Sequence, residues 1–276
     1  MPSLYIVGTP IGNLSDISER AIQTLRESHT IVAEDTRITG KLLSRFGIKT
    51  PMVSFNKDNA EKRIPSLIKI LKEHDMSLVT DAGTPGISDP GFELIRSLRS
   101  HAVDIIPIPG PSAVTTALST APFSTDSFYF AGFAPRRKKD ILQLVAKTRP
   151  LKVPVVLFES PKRLINLLKI LSEETPEQEV LIMREMTKMY EERFIGTVKE
   201  ALDLFQKPRG EFTIVLAPSP ADNPRLTDIE ISDTIKRLSK EVSGTRELAR
   251  HLSELSGLSN SEAYRRVLDT PLSEEP

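Results

Sequence analysis

Residues 76–91 read Met-Ser-Leu-Val-Thr-Asp-Ala-Gly-Thr-Pro-Gly-Ile-Ser-Asp-Pro-Gly. The run Met76 to Thr80 predicts a short strand. From Thr80 to Gly91, three glycines and two prolines in twelve positions constrain the backbone and let a ligand approach it closely. The arrangement recurs on either side. A strand Leu4–Val7 ends in Gly8-Thr9-Pro10-Ile11-Gly12-Asn13, and a strand Val103–Pro107 runs into Ile108-Pro109-Gly110-Pro111-Ser112-Ala113 and a helix. Strands that alternate with helices and end in such loops predict an α/β fold that binds ligands at its strand ends.

The same rhythm extends outward. Asp16 with Glu19 three residues on predicts a capping box for a helix reaching about Ser28. A strand Thr30–Ala33 follows, then Glu34-Asp35-Thr36-Arg37, a helix to Phe46 and another from Glu61 to His74. Further strands are predicted near Phe128–Ala131, Val153–Phe158, Val180–Met183, Arg193–Ile195 and Phe212–Leu216. Two boundaries are expected, one in the Pro/Ser/Thr stretch before Ser127 and one in the proline-rich linker Ala217–Pro224. They give α/β domains over 1–120 and 121–220 and a helical module over 225–276, with three short helices between Thr227 and Leu268. Thr245 is expected to cap the second of these, and Ser259 or Ser261 the third.

Composition narrows the function. The 276 residues carry 37 Lys+Arg and 37 Asp+Glu, so the chain is not a uniformly basic nucleic-acid coat protein. Zero cysteines exclude a disulfide, a thiolate nucleophile and a Cys-ligated zinc site, and suit a reducing cytoplasm. Trp is absent and aromatics are 5%, which leaves little for a stacking platform. The longest uncharged stretch, Ile105–Thr125, contains Pro107, Pro109, Pro111 and Pro122 and would make a poor membrane span. The four histidines, His29, His74, His101 and His251, have no metal-ligand spacing, so no metal site is expected.

Several polar groups sit where strands end. Asp81 can accept hydrogen bonds from a ligand amine or hydroxyl, and Asp89 reads as the cap of a helix after Gly91. Ser112 opens a helix whose first N–H groups can meet a carboxylate. The first loop is neither a G-x-G-x-x-G fingerprint nor a P-loop and is equally an ordinary turn. Glu34-Asp35-Thr36-Arg37 has two readings. It is the reactive end of a site, or Asp35 or Thr36 caps the next helix while Glu34 pairs with Arg37. In Glu159-Ser160-Pro161-Lys162-Arg163, Pro161 suits a first helical position, with Glu159 and Arg163 facing a cleft. Arg184, Glu185 and Lys188 either meet phosphate or form ion pairs. Between Phe133 and Lys152 seven basic residues face one Asp140, and the run Arg136, Arg137, Lys138, Lys139 can grip a phosphate backbone. A solvated helix start is the plainer alternative.

Gly-Thr-Pro-Ile-Gly-Asn, Ala-Glu-Asp-Thr-Arg, Asp-Ala-Gly-Thr-Pro-Gly-Ile-Ser-Asp-Pro-Gly, Pro-Gly-Pro-Ser-Ala and Phe-Glu-Ser-Pro-Lys-Arg occur in that order. Together they closely resemble the bacterial small-subunit ribosomal RNA cytidine 2′-O-methyltransferases of the tetrapyrrole methylase superfamily, over roughly residues 3–270. The resemblance implies S-adenosylmethionine as donor, two α/β domains with the donor in the cleft between them, a homodimer, and small-subunit ribosomal RNA or the assembled subunit as partner. It implies donor contacts at Pro10, Asp81, Ala82, Gly83, Gly86, Ser112 and Ala113, with Glu159, Met186 and Glu211 from the second domain. It favours Glu34, Asp35, Arg37 and Glu159 for catalysis, of which Glu159 or water is the alternative base. Arg136–Lys139, Arg163, Arg265 and Arg266 are expected against RNA. The competing functions are a small-molecule methylase of tetrapyrrole type and a non-enzymatic ribosome-associated RNA-binding protein.

Overall fold

The computed structural model describes residues 1–219, 228–239, 242, 244–256, 258 and 260–270. Met1–Pro218 form one compact unit and Ser219–Pro276 a second.

The first half of the larger unit runs β1 (Ser3–Val7), α1 (Glu19–Glu27), β2 (Thr30–Ala33), α2 (Thr36–Arg45), β3 (Met52–Ser54), α3 (Ala60–Leu71), β4 (Met76–Val79), α4 (Phe92–Ser97), β5 (Asp104–Ile108) and α5 (Ala113–Leu118). Its strands form one parallel sheet in the order β3-β2-β4-β1-β5. β2 and β4 are buried at every position, as expected of strands covered on both faces. The one polar side chain of β4, Ser77, is fully buried and hydrogen-bonds Ser28 at 2.6 Å. Because all five strands are parallel, their carboxyl ends and the loops after them share one edge.

Two helix starts differ from expectation. The cap of α1 is Ser18, whose hydroxyl accepts from the Ala21 N–H at 3.1 Å, while Asp16 belongs to a separate 3-10 turn, Leu14–Asp16. Asp89 does not cap α4, which follows Gly91 and has no side-chain cap.

The second half runs β6 (Tyr129–Phe133), α6 (Lys138–Thr148), β7 (Val155–Glu159), α7 (Pro161–Glu174), β8 (Glu179–Arg184), β9 (Glu192–Thr197), α8 (Val198–Leu204) and β10 (Phe212–Leu216). Its sheet order is β6-β7-β10-β8-β9, parallel only between β6 and β7. Phe212, at the start of β10, pairs with Glu159 at the end of β7 and with Arg184 at the end of β8. Those three termini therefore meet at one edge. A true capping box occurs at Thr197 and Glu200, opening α8.

The two sheets are joined by α5. Its Val114, Ala117 and Leu118 pack on Val156, Leu181 and Val215 of the second sheet, although the helix follows directly from β5 of the first.

In the smaller unit, α9 (Asp228–Leu238), α10 (Thr245–Ser256) and α11 (Asn260–Asp269) bury Ile235, Leu252, Ala263 and Val267 together. Thr245 is the first residue of α10 rather than its cap, the preceding residue being Gly244 at φ +110°. Ser259 lies outside the described residues, and Ser261 falls inside the first turn of α11.

Candidate active site

A cavity of about 550 Å³ lies where the two strand-end edges face each other, a size typical of small-molecule sites. Its first wall is built by the loops after β1, β2, β4 and β5, which are tied together through their backbones. Thr9 and Gly83 exchange N–H···O=C bonds of 2.9 and 3.1 Å, and the Gly8 N–H donates to Ile108 at 3.0 Å. The loops after β2 and β4 are also reciprocally bonded. The Asp35 N–H donates to Asp81 Oδ1 at 3.1 Å, and the Asp81 N–H donates to Glu34 Oε2 at 3.3 Å. Gly83 requires its lack of a side chain, at φ +78°.

The second wall comes from the edge where β7, β8 and β10 meet, and supplies Glu159, Met186 and Glu211. Residues 184–188 turn through two left-handed non-glycine positions, Glu185 at φ +50° and Thr187 at φ +64°. Such strained positions persist only where surrounding structure holds them. Here Glu185 accepts from the Glu211 N–H and from Lys188 Nζ, both at 2.9 Å. Lys188 also reaches Glu211 at 2.8 Å, and Arg184 pairs with Glu192 at 2.8 Å. Arg184, Glu185 and Lys188 are thus ion-paired within the protein.

Among the described residues five carboxylates line the cavity, Glu34, Asp81, Asp89, Glu159 and Glu211, and no Lys, Arg or His does. Burial pushes Glu34, Asp81 and Glu159 above the ordinary carboxylate range, against the opposing pull of the N–H groups that bond them. Asp89 is pushed up to about 6 by burial and by the nearby Glu34 and Asp81 charges, with Lys57 opposing. Between these acids lie apolar side chains, Ile11, Val114, Phe158 and Met186 among them, and the hydroxyls of Thr84, Ser88, Ser112, Ser160 and Thr213. Such a cavity selects a ligand carrying positive charge and an apolar or aromatic body. Among the described residues, no group of three or more His, Asp or Glu side chains is arranged to hold a metal ion.

Of the residues expected at the donor, Asp81, Ala82, Gly83, Ser112, Ala113, Glu159, Met186 and Glu211 share this cavity. Pro10 is buried outside its lining, where Ile11 takes its place. Gly86, also outside the lining, shapes the loop at φ +82° with its N–H on Pro90 O at 3.1 Å. Asp89, Ile11 and the aromatic pair Phe133 and Phe158 are wall residues that the sequence does not single out as such. Phe133 and Phe158 contact edge to face at 5.6 Å.

Of the expected catalytic residues, Glu34 and Glu159 line the cavity and Asp35 and Arg37 do not. Asp35 caps α2 through the Arg37 N–H at 2.8 Å and pairs with the exposed Arg37 guanidinium at 2.5 Å. That side-chain bond holds Asp35 down at about 2. Of the plainer reading of this segment, the Asp35 cap holds, while the Glu34–Arg37 pair is replaced by Asp35–Arg37.

The basic run occupies the entry to α6, with all four cations exposed. Arg137 pairs with Asp140 at 2.7 Å and Lys138 with Glu173 at 2.5 Å. Among the described residues Arg136 and Lys139 form no ion pair. Arg136 shares a groove with Glu159, which puts the run next to the cavity wall. Arg163 is bound internally: it pairs with Glu159 at 2.9 Å and donates to the carbonyls of Ala134 and Pro135. Arg265 and Arg266 are exposed on α11.

Residues 3–202 match the family model of the tetrapyrrole (corrin/porphyrin) methylases. A Thermotoga maritima relative named ribosomal RNA small subunit methyltransferase I is 46% identical over 220 residues, 79% of this chain and 99% of its own. A Synechocystis sp. relative of the same name is 36% identical over 274 residues, 98% of each chain. A solved diphthine synthase superposes with a TM-score of 0.62 at 16% identity, covering 78% of this chain and 89% of that one. A cobalt precorrin-4 methyltransferase of cobalamin biosynthesis gives 0.58 at 19% identity over 78% and 94%. At such identities the likeness is one of fold. The match over 3–202 and the two kinships, one of them over 98% of each chain, agree, and the chain belongs to the tetrapyrrole methylase family, in the group of relatives named ribosomal RNA small subunit methyltransferase I.

Proposed function

We propose that this protein methylates the ribose 2′-hydroxyl of a cytidine in small-subunit ribosomal RNA, with S-adenosylmethionine as donor, acting in the cytoplasm as a homodimer. The carrying observation is the cavity lined, among the described residues, by five carboxylates and no cationic side chain. It fits a sulfonium ligand with an amine, a ribose and a purine: the acids face the positive charge and hydroxyls, and Ile11, Val114, Phe158 and Met186 face the ring. When bound, the donor supplies an activated methyl group on positively charged sulfur. The residues at Asp81–Gly83, Ser112–Ala113, Glu159, Met186 and Glu211 hold and orient it. Glu34 stands beside Asp81 at the end where the hydroxyl arrives, with the Asp35–Arg37 pair outside the wall. The names of the relatives supply the RNA class. Exposed Phe92, Met189 and Tyr190 are apolar residues that a dimer contact would cover.

The test is methyl transfer from labelled donor to isolated small ribosomal subunits. The expected product is one 2′-O-methylated cytidine, recognised by an alkali-resistant linkage. Label on a base would reject ribose chemistry, and label accepted by a tetrapyrrole but not by the subunit would favour a small-molecule methylase.

Phosphate cannot enter an acidic cavity, so the RNA backbone must be held outside it. Cations at the start of α6 oppose the helix dipole, a cost that bound phosphate relieves. Arg136→Glu with Lys139→Glu is expected to weaken subunit binding, leaving donor affinity intact. The salt slope should fall by about one unit for each phosphate that is no longer neutralised. An unchanged slope would return the run to a solvated surface. The exposed Arg265 and Arg266 extend the same role to the helical module.

A further inference from the structure

We propose that Asp89 is the base that takes the proton from the substrate hydroxyl as the methyl group is transferred, a role that rests on the cavity being a methyl-transfer site. The argument is one of availability. Four of the five cavity carboxylates are committed. Glu34 accepts from the Asp81 N–H and Asp81 from the Asp35 N–H. Glu159 accepts from the Ser160 N–H at 2.6 Å and pairs with Arg163, and Glu211 pairs with Lys188. Among the described residues, the Asp89 side chain has no hydrogen bond or ion pair.

Its placement is enforced. Ser88 is held left-handed at φ +65°, and the turn is closed by Ile87 N–H on Thr84 O at 3.3 Å and Gly86 N–H on Pro90 O at 3.1 Å. Strand β6 backs the loop so closely that a Cβ on Gly132 would lie 3.2 Å from Ser88 Oγ. A strained, braced loop that aims an unpartnered carboxylate into a cavity is costly for the fold. The charged groups around it are Glu34 after β2, Asp81 after β4 and Lys57 between β3 and α3. Burial and the two acids push it up to about 6, so it is ionised at neutral pH yet more basic than an ordinary carboxylate.

The step balances without a further reactant. The hydroxyl oxygen bonds the methyl carbon while the carbon–sulfur bond breaks with its electron pair on sulfur, leaving a neutral thioether. The hydroxyl proton passes to Asp89, which returns it to water.

The experiment compares full-length wild type, Asp89→Asn and Asp89→Glu in single-turnover transfer to small subunits across pH, in donor calorimetry, and in melting without donor. Asp89→Asn is expected to lose about 100-fold or more in transfer rate, keep its donor affinity, and lose the acid limb expected of wild type near pH 6. Asp89→Glu should retain that limb. Melting supplies a readout independent of activity. A carboxyl that titrates near 3.8 unfolded and about 6 folded stabilises the fold only while protonated. That contribution is full below 3.8 and lost as pH rises through 6, so Asp89→Asn should melt above wild type at neutral pH and level with it near pH 4. An unreduced rate, a rate loss matched by lost donor affinity, or an intact acid limb in Asp89→Asn would overturn the role. Wild type that methylates no RNA would instead overturn the reading on which it rests.

Discussion

Replacing Gly110 with alanine is expected to lower the melting temperature of the larger unit by about 6–12 °C and to abolish donor binding. A Cβ on Gly110 would lie 2.7 Å from Gly8 O, 2.8 Å from Gly8 C and 2.9 Å from Gly8 Cα. The relation is mutual, since a Cβ on Gly8 would lie 2.8 Å from Gly110 Cα. Every clashing atom is backbone, so no rotamer can yield. The Gly8 N–H bond to Ile108 fixes the approach. Relief requires β1 and β5 to part at their carboxyl ends, which drags the Thr9–Gly83 bridge one way and Ser112–Ala113 the other. Overpacking of this kind costs about 1–3 kcal/mol, and rigid backbone places it at the upper end. Displacing a binding wall by about 1 Å is enough to lose about 100-fold in function. Gly47→Ala is the control: Gly47 is left-handed at φ +63° with nothing within 4 Å of a Cβ, so only backbone strain of about 1–2 kcal/mol applies. Scanning calorimetry and donor titration decide. Equal melting of the two variants would mean that the backbone contact between Gly8 and Gly110 costs no more to relieve than the strain at Gly47.

That glycine pair marks the limit of what a sequence displays. Residues 8 and 110 each look like turn glycines, and nothing local reveals that they touch across the sheet. Strand positions are legible where burial is two-sided: Thr30–Ala33 and Phe212–Leu216 read as short runs, apolar but for Thr30 and Thr213, and end where the structure ends them. β3 is not, because three half-buried residues carry no period. Strand direction in the second sheet is equally hidden. β7, α7 and β8 do form a crossover between parallel strands, but β10 inserts antiparallel between them, a tertiary choice without a sequence mark. The start of α1 is ambiguous for a local reason. Asp16 and Ser18 both precede the helix, and the hydroxyl two residues closer makes the cap while Asp16 is taken into its own 3-10 turn.

The cavity is legible in proportion to backbone constraint. The loops at Gly83 and Ser112 announce themselves by glycine and proline density, and both line it. Its acidity is less visible, because the five carboxylates come from four separate loops or strand ends, Asp81 and Asp89 sharing the one after β4, and their sum exists only after folding. Asp89 reads as a cap from its place before Pro90-Gly91, yet α4 begins without a side-chain cap. Phe133 and Phe158 sit in ordinary strands and give no signal of lining a site. The basic run is visible as charge, but Glu173, which neutralises Lys138, lies 35 residues away. Pairing therefore reduces four candidate phosphate contacts to two unpaired cations among the described residues, Arg136 and Lys139.

Arg163 separates two roles that its sequence context leaves together. Arg163→Met is expected to destabilise the protein by about 3–4 kcal/mol in the absence of any RNA. Glu159, its partner, has a side chain only 1% exposed. Removing the guanidinium leaves a buried carboxylate supported by Ser160 alone, a change that costs about 3–5 kcal/mol where charge stays uncompensated. An upper bound comes from the alternative of taking up a proton. Neutralising a carboxyl of ordinary pKa 4.5 at pH 7.5 costs about 4 kcal/mol, at 1.36 kcal/mol per unit. The sign in pH follows. Burial already raises the folded pKa of Glu159, and losing Arg163 raises it further, so the fold is favoured while Glu159 is protonated and loses that advantage as pH rises through the folded value. The defect should therefore be deepest at alkaline pH and shrink toward pH 5. Adding Glu159→Gln removes the charge and should recover most of the loss at neutral pH, the non-additivity expected of contacting partners. The recovery would be incomplete because Arg163 also donates to Ala134 and Pro135, which carry the chain from β6 into the basic run. If Arg163 serves only as a phosphate contact, Arg163→Met will melt as wild type at every pH and lose affinity for the small subunit alone.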